Sequence, residues 1–294
     1  MTSAYASAAD LLLAELRPSR KTTIIDVGAN PINAAPYADL LQKGGCHVIG
    51  FEPQADAFAR LKLTKGSNET YYPFAVGTGE PQDLRIYRSS GMTSIFDPYL
   101  PGLRSVGMRS LGKVKEKIAL DTVALDATAD LPAFDLMKID IQGGEALVFQ
   151  GAERVMADCV AVIVELRYMR IYLGEPMVGG IDTELRRQGF YLHKFMFNMS
   201  KMLRNSQSDR LDKTQMADQL IDGDAIYLRN IAEPELLSTD QLKHLAILGG
   251  TVFDSHSLVL YCLDALVDRK AVSKHLPGAY VDLLPAQYRL EAQA

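Results

Sequence analysis

The stretch TTIIDVGAN at residues 22–30 decides the fold. Residues 23–27 are β-branched and apolar, apart from Asp26 near the end. Such a run reads as a strand buried on both faces, as in a parallel sheet, carrying an acid to its C-terminal tip. Gly28 follows, where a missing side chain lets a ligand approach the backbone closely. Working outward, a predicted helix over 37–42 is ended by Gly44 and Gly45, and CHVIGFEP (46–53) is a second strand with Glu52 at its tip. A helix over 55–63 and a strand over 71–76 follow. Strand, helix, strand, helix, strand is the signature of an α/β protein with a Rossmann-like, mostly parallel sheet and helices on both faces. Right-handed crossovers place Asp26, Glu52 and the turn at Ala75 along one sheet edge.

Upstream, residues 3–16 read as a helix stopped by Pro18. Downstream, 84–88 reads as an extra strand. Residues 89–117, rich in glycine, proline and basic side chains, read as a long loop or partly helical lid over the sheet edge. The sheet resumes with strands at 136–141 and 160–167, separated by a helix over 146–156. A helix at 184–188 ends at Gly189, and 190–197 with 225–228 form an antiparallel pair at the sheet edge. Beyond Asn230, amphipathic helices are predicted at 239–248 and 257–267, with an irregular stretch or short docking helix from Pro277. The expected organisation is therefore an N-terminal helix (1–19), a main domain (20–230) and a helical extension (231–294). That extension is too short for a large core of its own. It is expected to pack on the main domain or on a second subunit, a homodimer being the weaker expectation.

A chain with 48% hydrophobic and 23% charged residues can bury a proper core. Its net charge of −5 argues against a broad, sequence-independent grip on nucleic acid, while leaving room for a local basic patch. Cys46, Cys159 and Cys262 lie far apart, which speaks against a disulfide scaffold or a zinc knuckle. No signal peptide and no run of about 18 apolar residues is read, so a cytoplasmic protein without a membrane span is expected.

The candidate chemistry sits at the strand tips. GxGxxG is absent, so a diphosphate clamp is disfavoured and a nucleoside-like ligand fits better. Glu52 can accept hydrogen bonds from a ribose diol. Lys138 and Asp140 lie two apart on one strand and share a face; they read either as a structural ion pair or as functional groups. Gly143 and Gly144 permit a tight turn, and Glu145 opens the next helix. Glu165 at its strand tip and His193 are rival bases, either of which is also explained structurally. Asp140, Glu165 and His193 could gather around a divalent ion, which spacing leaves open. Ala75 and Ser94, the latter in the loop GMTS (91–94), complete the candidate cofactor contacts with Asp26, Gly28, Asn30, Glu52 and Asp140.

Taken together, IIDVGAN (24–30), GFEPQADAFARL (50–61), YYPFAVG (71–77), GMTSIF (91–96), DLMKIDIQGGE (135–145) and VIVELR (162–167) resemble the FkbM-type S-adenosylmethionine-dependent methyltransferases, with GFYLHKF (189–195) a weaker echo. The resemblance implies a class I methyltransferase fold with a seven-stranded sheet. It also implies methyl transfer to an oxygen of a small or sugar-like acceptor. It assigns Asp26, Gly28 and Asn30 to the first cofactor motif, Glu52 to the ribose, and Lys138, Asp140 and Glu145 to the lysine–aspartate strand and its following acid. Pro31-Ile32-Asn33 stand where the family often has a further glycine, and Gln142 where it commonly has Glu. The competing classes are an NAD-dependent oxidoreductase on a related sheet and a catalytically silent cofactor-binding scaffold.

Overall fold

A computed structural model describes residues 5–31 and 34–290. Part of the Pro31-Ile32-Asn33 departure and the start of the first predicted helix lie outside the described residues. The central sheet has seven strands: β1 (Thr22–Val27), β2 (Cys46–Phe51), β3 (Glu69–Tyr72), β4 (Leu136–Ile139), β5 (Ala161–Arg167), β6 (Phe190–Lys201) and β7 (Gln219–Arg229). Their order is β6-β7-β5-β4-β1-β2-β3. β1 to β5 pair in parallel, and β7 enters antiparallel between β5 and β6. Nine helices join them among the described residues: α1 (Ala8–Leu16), α2 (Ala38–Gln42), α3 (Ala55–Thr64), α4 (Leu100–Ser105), α5 (Glu145–Gln150), α6 (Val178–Arg187), α7 (Thr239–Thr251), α8 (His256–Asp268) and α9 (Leu276–Asp282).

Alternation along β1 explains the layers. Ile24 points into one core with Leu12 and Leu16 of α1, Leu245 and Leu248 of α7, and Leu263 of α8. Ile25 and Val27 point the other way, into a core with Val148 and Phe149 of α5 and Leu185 of α6. The C-terminal helices therefore cover one face of the sheet together with α1. Ser238 and Gln241 form a reciprocal capping box that starts α7: Gln241 N donates to Ser238 Oγ at 3.1 Å and Ser238 N to Gln241 Oε1 at 2.8 Å.

Several local expectations are corrected. The strand expected over 71–76 is broken at Pro73, which has no N–H for the ladder. Ala75–Val76 instead pairs with Thr122–Val123 in a separate two-stranded sheet. The expected lid contains a strand, Val114–Leu120, that pairs antiparallel with Gln82–Tyr87. The helix expected over 146–156 stops at Gly151, where a Cβ would lie 2.1 Å from the Gly77 carbonyl oxygen. Helix α6 starts before its glycines Gly179 and Gly180, because Ile181 and Leu185 bury one face and outweigh poor propensity. β7 lies inside the sheet rather than at its edge, which is why Ala225, Ile226 and Tyr227 are all buried.

Opposite the strand tips, a polar knot ties α7 to the sheet. Buried Asp135 accepts from Arg20 at 2.6 and 2.9 Å and from Thr23 N at 2.8 Å. His244 of α7 is buried with Nδ1 3.0 Å from Thr22 Oγ1. Burial holds the His244 pKa below its ordinary 6.5, although nearby Asp135 pulls the other way. The unfolded chain thus binds a proton that the folded chain refuses. His244 contributes this stability above about pH 6.5 and loses it as pH falls toward the depressed value. In urea titrations, the stability gap between the native protein and His244→Gln is expected to shrink from about pH 8 to about pH 5. A gap independent of pH would refute the buried, neutral histidine.

Candidate active site

β1 lies between β2 and β4, so the chain leaves it toward one side and returns on the other. The carboxyl ends of these strands form the crevice in which open α/β sheets bind ligands. A cavity of about 630 Å³ occupies it, lined by Asp26, Gly28, Asn30, Glu52, Ala75, Lys138 and Asp140 among others. Seven of the residues singled out in the sequence are therefore brought together.

Gly28 adopts φ +81°, and a Cβ there would lie 2.3 Å from the Asp140 carbonyl oxygen. The close approach needed at Gly28 is thus that of the chain leaving β4. Asp26 and Lys138 are directly paired in parallel register, so their side chains share a face. Lys138 Nζ lies 3.2 Å from Asp26 Oδ1, and Tyr37 donates its hydroxyl to Asp26 Oδ2 at 2.5 Å. Burial pulls the Lys138 pKa down, but Asp26 and Asp140 outweigh it and leave the ammonium pKa raised. The expected Lys138–Asp140 pair is corrected: Asp140 lies past the end of β4, is exposed, and accepts from Gln142 Nε2 at 3.0 Å.

Glu52 is buried, and its Oε1 accepts from Gln54 N at 2.8 Å. Burial raises its pKa, and Asp26 adds to the effect. Asn30 Oδ1 and Thr93 Oγ1 are buried without a hydrogen-bond partner among the described residues, and both residues line the cavity. Ser94 does not line it. The Ser94 hydroxyl donates to the Gln142 carbonyl at 2.6 Å and accepts from Phe96 N at 3.1 Å, so it pins the loop while its neighbour Thr93 faces the cavity.

The turn after β4 is tightly built. Gln142 and Gly143 have φ +60° and +108°, and buried Glu145 accepts from Ile141 N at 3.0 Å and Gly143 N at 3.2 Å. Gln142 Nε2 also donates to Glu165 Oε2 at 3.0 Å. Glu165 pairs with buried Arg167 at 3.0 Å, and Arg167 also meets Glu175 and Asp222. Burial drives the Glu165 pKa well up. Glu165 is not among the cavity-lining residues; it reaches Asp140 only through Gln142.

His193 is likewise outside the cavity. Its Nε2 lies 3.0 Å from Ser255 Oγ, while neighbouring Lys194 donates to the Phe253 and Asp254 carbonyls. These two residues fasten edge strand β6 to the turn between α7 and α8. Asp140, Glu165 and His193 therefore do not converge on a cation, and no group of three metal-ligating side chains occurs among the described residues.

The sequence reading missed Asp224, which lines the cavity and sits opposite Glu165 in the β7–β5 register. Burial raises its pKa, with a further push from Asp140. No local motif marks it, because its place depends on β7 entering the sheet interior.

The strand order, the antiparallel β7 and the crevice at the tips of β1, β2 and β4 define a class I methyltransferase fold. A family model described as the methyltransferase FkbM domain matches residues 26–192, more than half of the chain. The chain belongs to the FkbM methyltransferase family.

Solved structures similar to it include methyltransferase FkbM from Methylobacillus flagellatus KT, at 14% identity and a TM-score of 0.37 over 71% of this chain. The chain covers 43% of that protein's length. Magnesium protoporphyrin IX methyltransferase from Synechocystis PCC 6803, solved with bound SAM, is similar at 10% identity and a TM-score of 0.36, over 76% of each chain. Precorrin-6y C5,15-methyltransferase from Geobacter metallireducens GS-15 is similar at 13% identity and a TM-score of 0.35, over 75% of this chain and 84% of that one. No curated protein matches the chain. No helix among the described residues is long and apolar enough to cross a membrane.

Proposed function

We propose that this protein binds S-adenosylmethionine in the crevice and transfers its methyl group to a hydroxyl oxygen of a small or sugar-like acceptor. The observation that carries the reading is the buried Glu52 carboxylate at the tip of β2, in one cavity with the unpartnered Asn30 Oδ1. These are acceptors suited to a ribose diol and an ammonium group, and no glycine-rich diphosphate cradle stands beside them. The sulfonium, when bound, supplies an activated methyl group. The protein's own work is then to orient the acceptor oxygen and receive its proton.

Asp26, Gly28 and Ala75 shape the cofactor end, Glu52 and Asn30 hold it, and Thr93 takes the contact assigned to Ser94 in the sequence. Lys138 pairs with Asp26 and positions the tip of β1. Asp140 and Asp224 face the acceptor side, where either carboxylate can hold the hydroxyl proton. Glu165 is a positioning residue acting through Gln142. A divalent ion is left to an EDTA comparison.

The partner side of the proposal is a small-molecule or glycan acceptor and a homodimer. Exposed Tyr191, Phe195 and Phe197 on edge strand β6 support the latter, and light scattering reads the mass. Buried, free Cys46, Cys159 and Cys262 suit the expected cytoplasmic setting.

Calorimetry with S-adenosylhomocysteine and NAD in parallel tests the reading: the former binds and the latter does not. Glu52→Gln is expected to weaken S-adenosylhomocysteine by one charged hydrogen bond, about 1.5–3 kcal/mol. Unchanged affinity in the folded variant, or tighter binding of NAD, would overturn the assignment.

A further inference from the structure

A second cavity, of about 610 Å³, is ringed by Arg88, Arg104, Arg109, Lys113 and Arg204, with no acidic residue in its lining. Five cations gathered in one hollow stand out in a chain whose net charge is −5. Among the described residues, none of the five makes an ion pair, and none has a side-chain hydrogen bond. By contrast, Arg85 and Lys117 hold Asp97, and Lys138 holds Asp26.

The hollow is assembled from three separated segments held by backbone bonds. Arg88 N donates to the Lys113 carbonyl at 2.9 Å across the Gln82–Tyr87 hairpin, and Arg204 N donates to the Ser105 carbonyl at 2.7 Å. Gly107, at φ +73°, leaves room for Arg204: a Cβ there would lie 3.2 Å from Arg204 Nε. Side chains of one sign in a concave surface focus the field and raise the local concentration of anions. Four of the five are arginines, whose planar forks match phosphate oxygens in pairs.

We propose that this hollow is a binding site for a multiply charged phosphate group, distinct from the crevice at the strand tips. Its size suits a small phosphorylated ligand or a phospholipid headgroup. The chain runs from Arg88, in the ring of this hollow, to Ser90, Gly91 and Thr93, which line the first cavity. The assignment stands on charge and geometry alone and does not depend on methyl transfer.

The test uses the full chain with three probes: inorganic pyrophosphate by calorimetry, vesicles of phosphatidylcholine with phosphatidic acid by co-sedimentation, and a mixed-sequence RNA oligomer by anisotropy. Arg104→Glu/Arg204→Glu is the disruptive variant and Arg104→Gln/Arg204→Gln the milder one, each checked for an unchanged melting temperature. Either pyrophosphate or vesicle binding that weakens by about tenfold or more in both variants, and falls with added salt, is the expected result. Pyrophosphate binding identifies a soluble phosphate ligand, and vesicle binding alone a lipid headgroup. No binding of either probe, or binding equal in native and variant proteins, would overturn the site. RNA bound more tightly than both, with the same sensitivity, would overturn it in favour of a nucleic-acid surface.

Discussion

A chain ending at residue 230 is expected not to fold cooperatively. Leu245, Leu248, Leu258, Val259, Leu263 and Leu266 of α7 and α8 are buried in the same core as Ile24, Val48 and Leu136 of the sheet. Burial of one such side chain contributes about 1.5–3 kcal/mol. Half a dozen of them rival the whole net stability of an ordinary domain, about 5–15 kcal/mol. The truncation also strips one face of β1, β2 and β4 and leaves the buried Asp135 knot without His244. The expected outcome is a soluble-aggregate or insoluble product with no sigmoidal thermal transition by circular dichroism. A monodisperse truncated chain melting near the full-length temperature would show that the extension is dispensable.

Asp140→Asn is expected to keep the fold and the cofactor affinity while slowing methyl transfer by about 10²–10⁴-fold, the usual worth of a positioned general base. The separation is clean because Lys138 is held by Asp26 rather than by Asp140, and an asparagine Oδ1 still accepts from Gln142. The measurement is single-turnover methyl transfer with cofactor saturating, on an acceptor drawn from a panel of hydroxylated sugars, with and without EDTA. Turnover near native in the folded variant would move the base to Asp224, whose carboxyl lines the same cavity. A rate lost on adding EDTA would assign Asp140 to an ion rather than to the proton. By contrast, Glu165 and His193 are expected to act on stability and on the placement of Gln142 and β6, because neither lines the crevice.

The parallel sheet and the acids at its strand tips were legible in the sequence for a local reason. A buried parallel strand is a continuous apolar run, so an acid at its end is conspicuous, and right-handed crossovers carry every such tip to one edge. Asp26, Glu52 and Asp140 were therefore readable from their own neighbourhoods, as was the antiparallel pairing of the last two strands. Element ends were less so: Pro73 splits a strand and Gly151 stops a helix because another backbone passes beside it.

The sequence by itself determined the sheet type, the strand tips and the acids on them, because each follows from local period and chirality. Only the tertiary structure decided which groups meet. Register placed Lys138 on Asp26, not Asp140, since side-chain pairing across strands depends on alignment between segments more than 100 residues apart. The insertion of β7 between β5 and β6 carried Asp224 to the crevice and left His193 out at the edge beneath the α7–α8 turn. A single turn of the loop, which no period reveals, puts Thr93 rather than Ser94 on the cavity and Ser94 on the Gln142 carbonyl. The five cations of the second cavity come from segments scattered between residues 88 and 204, and folding alone makes them one field.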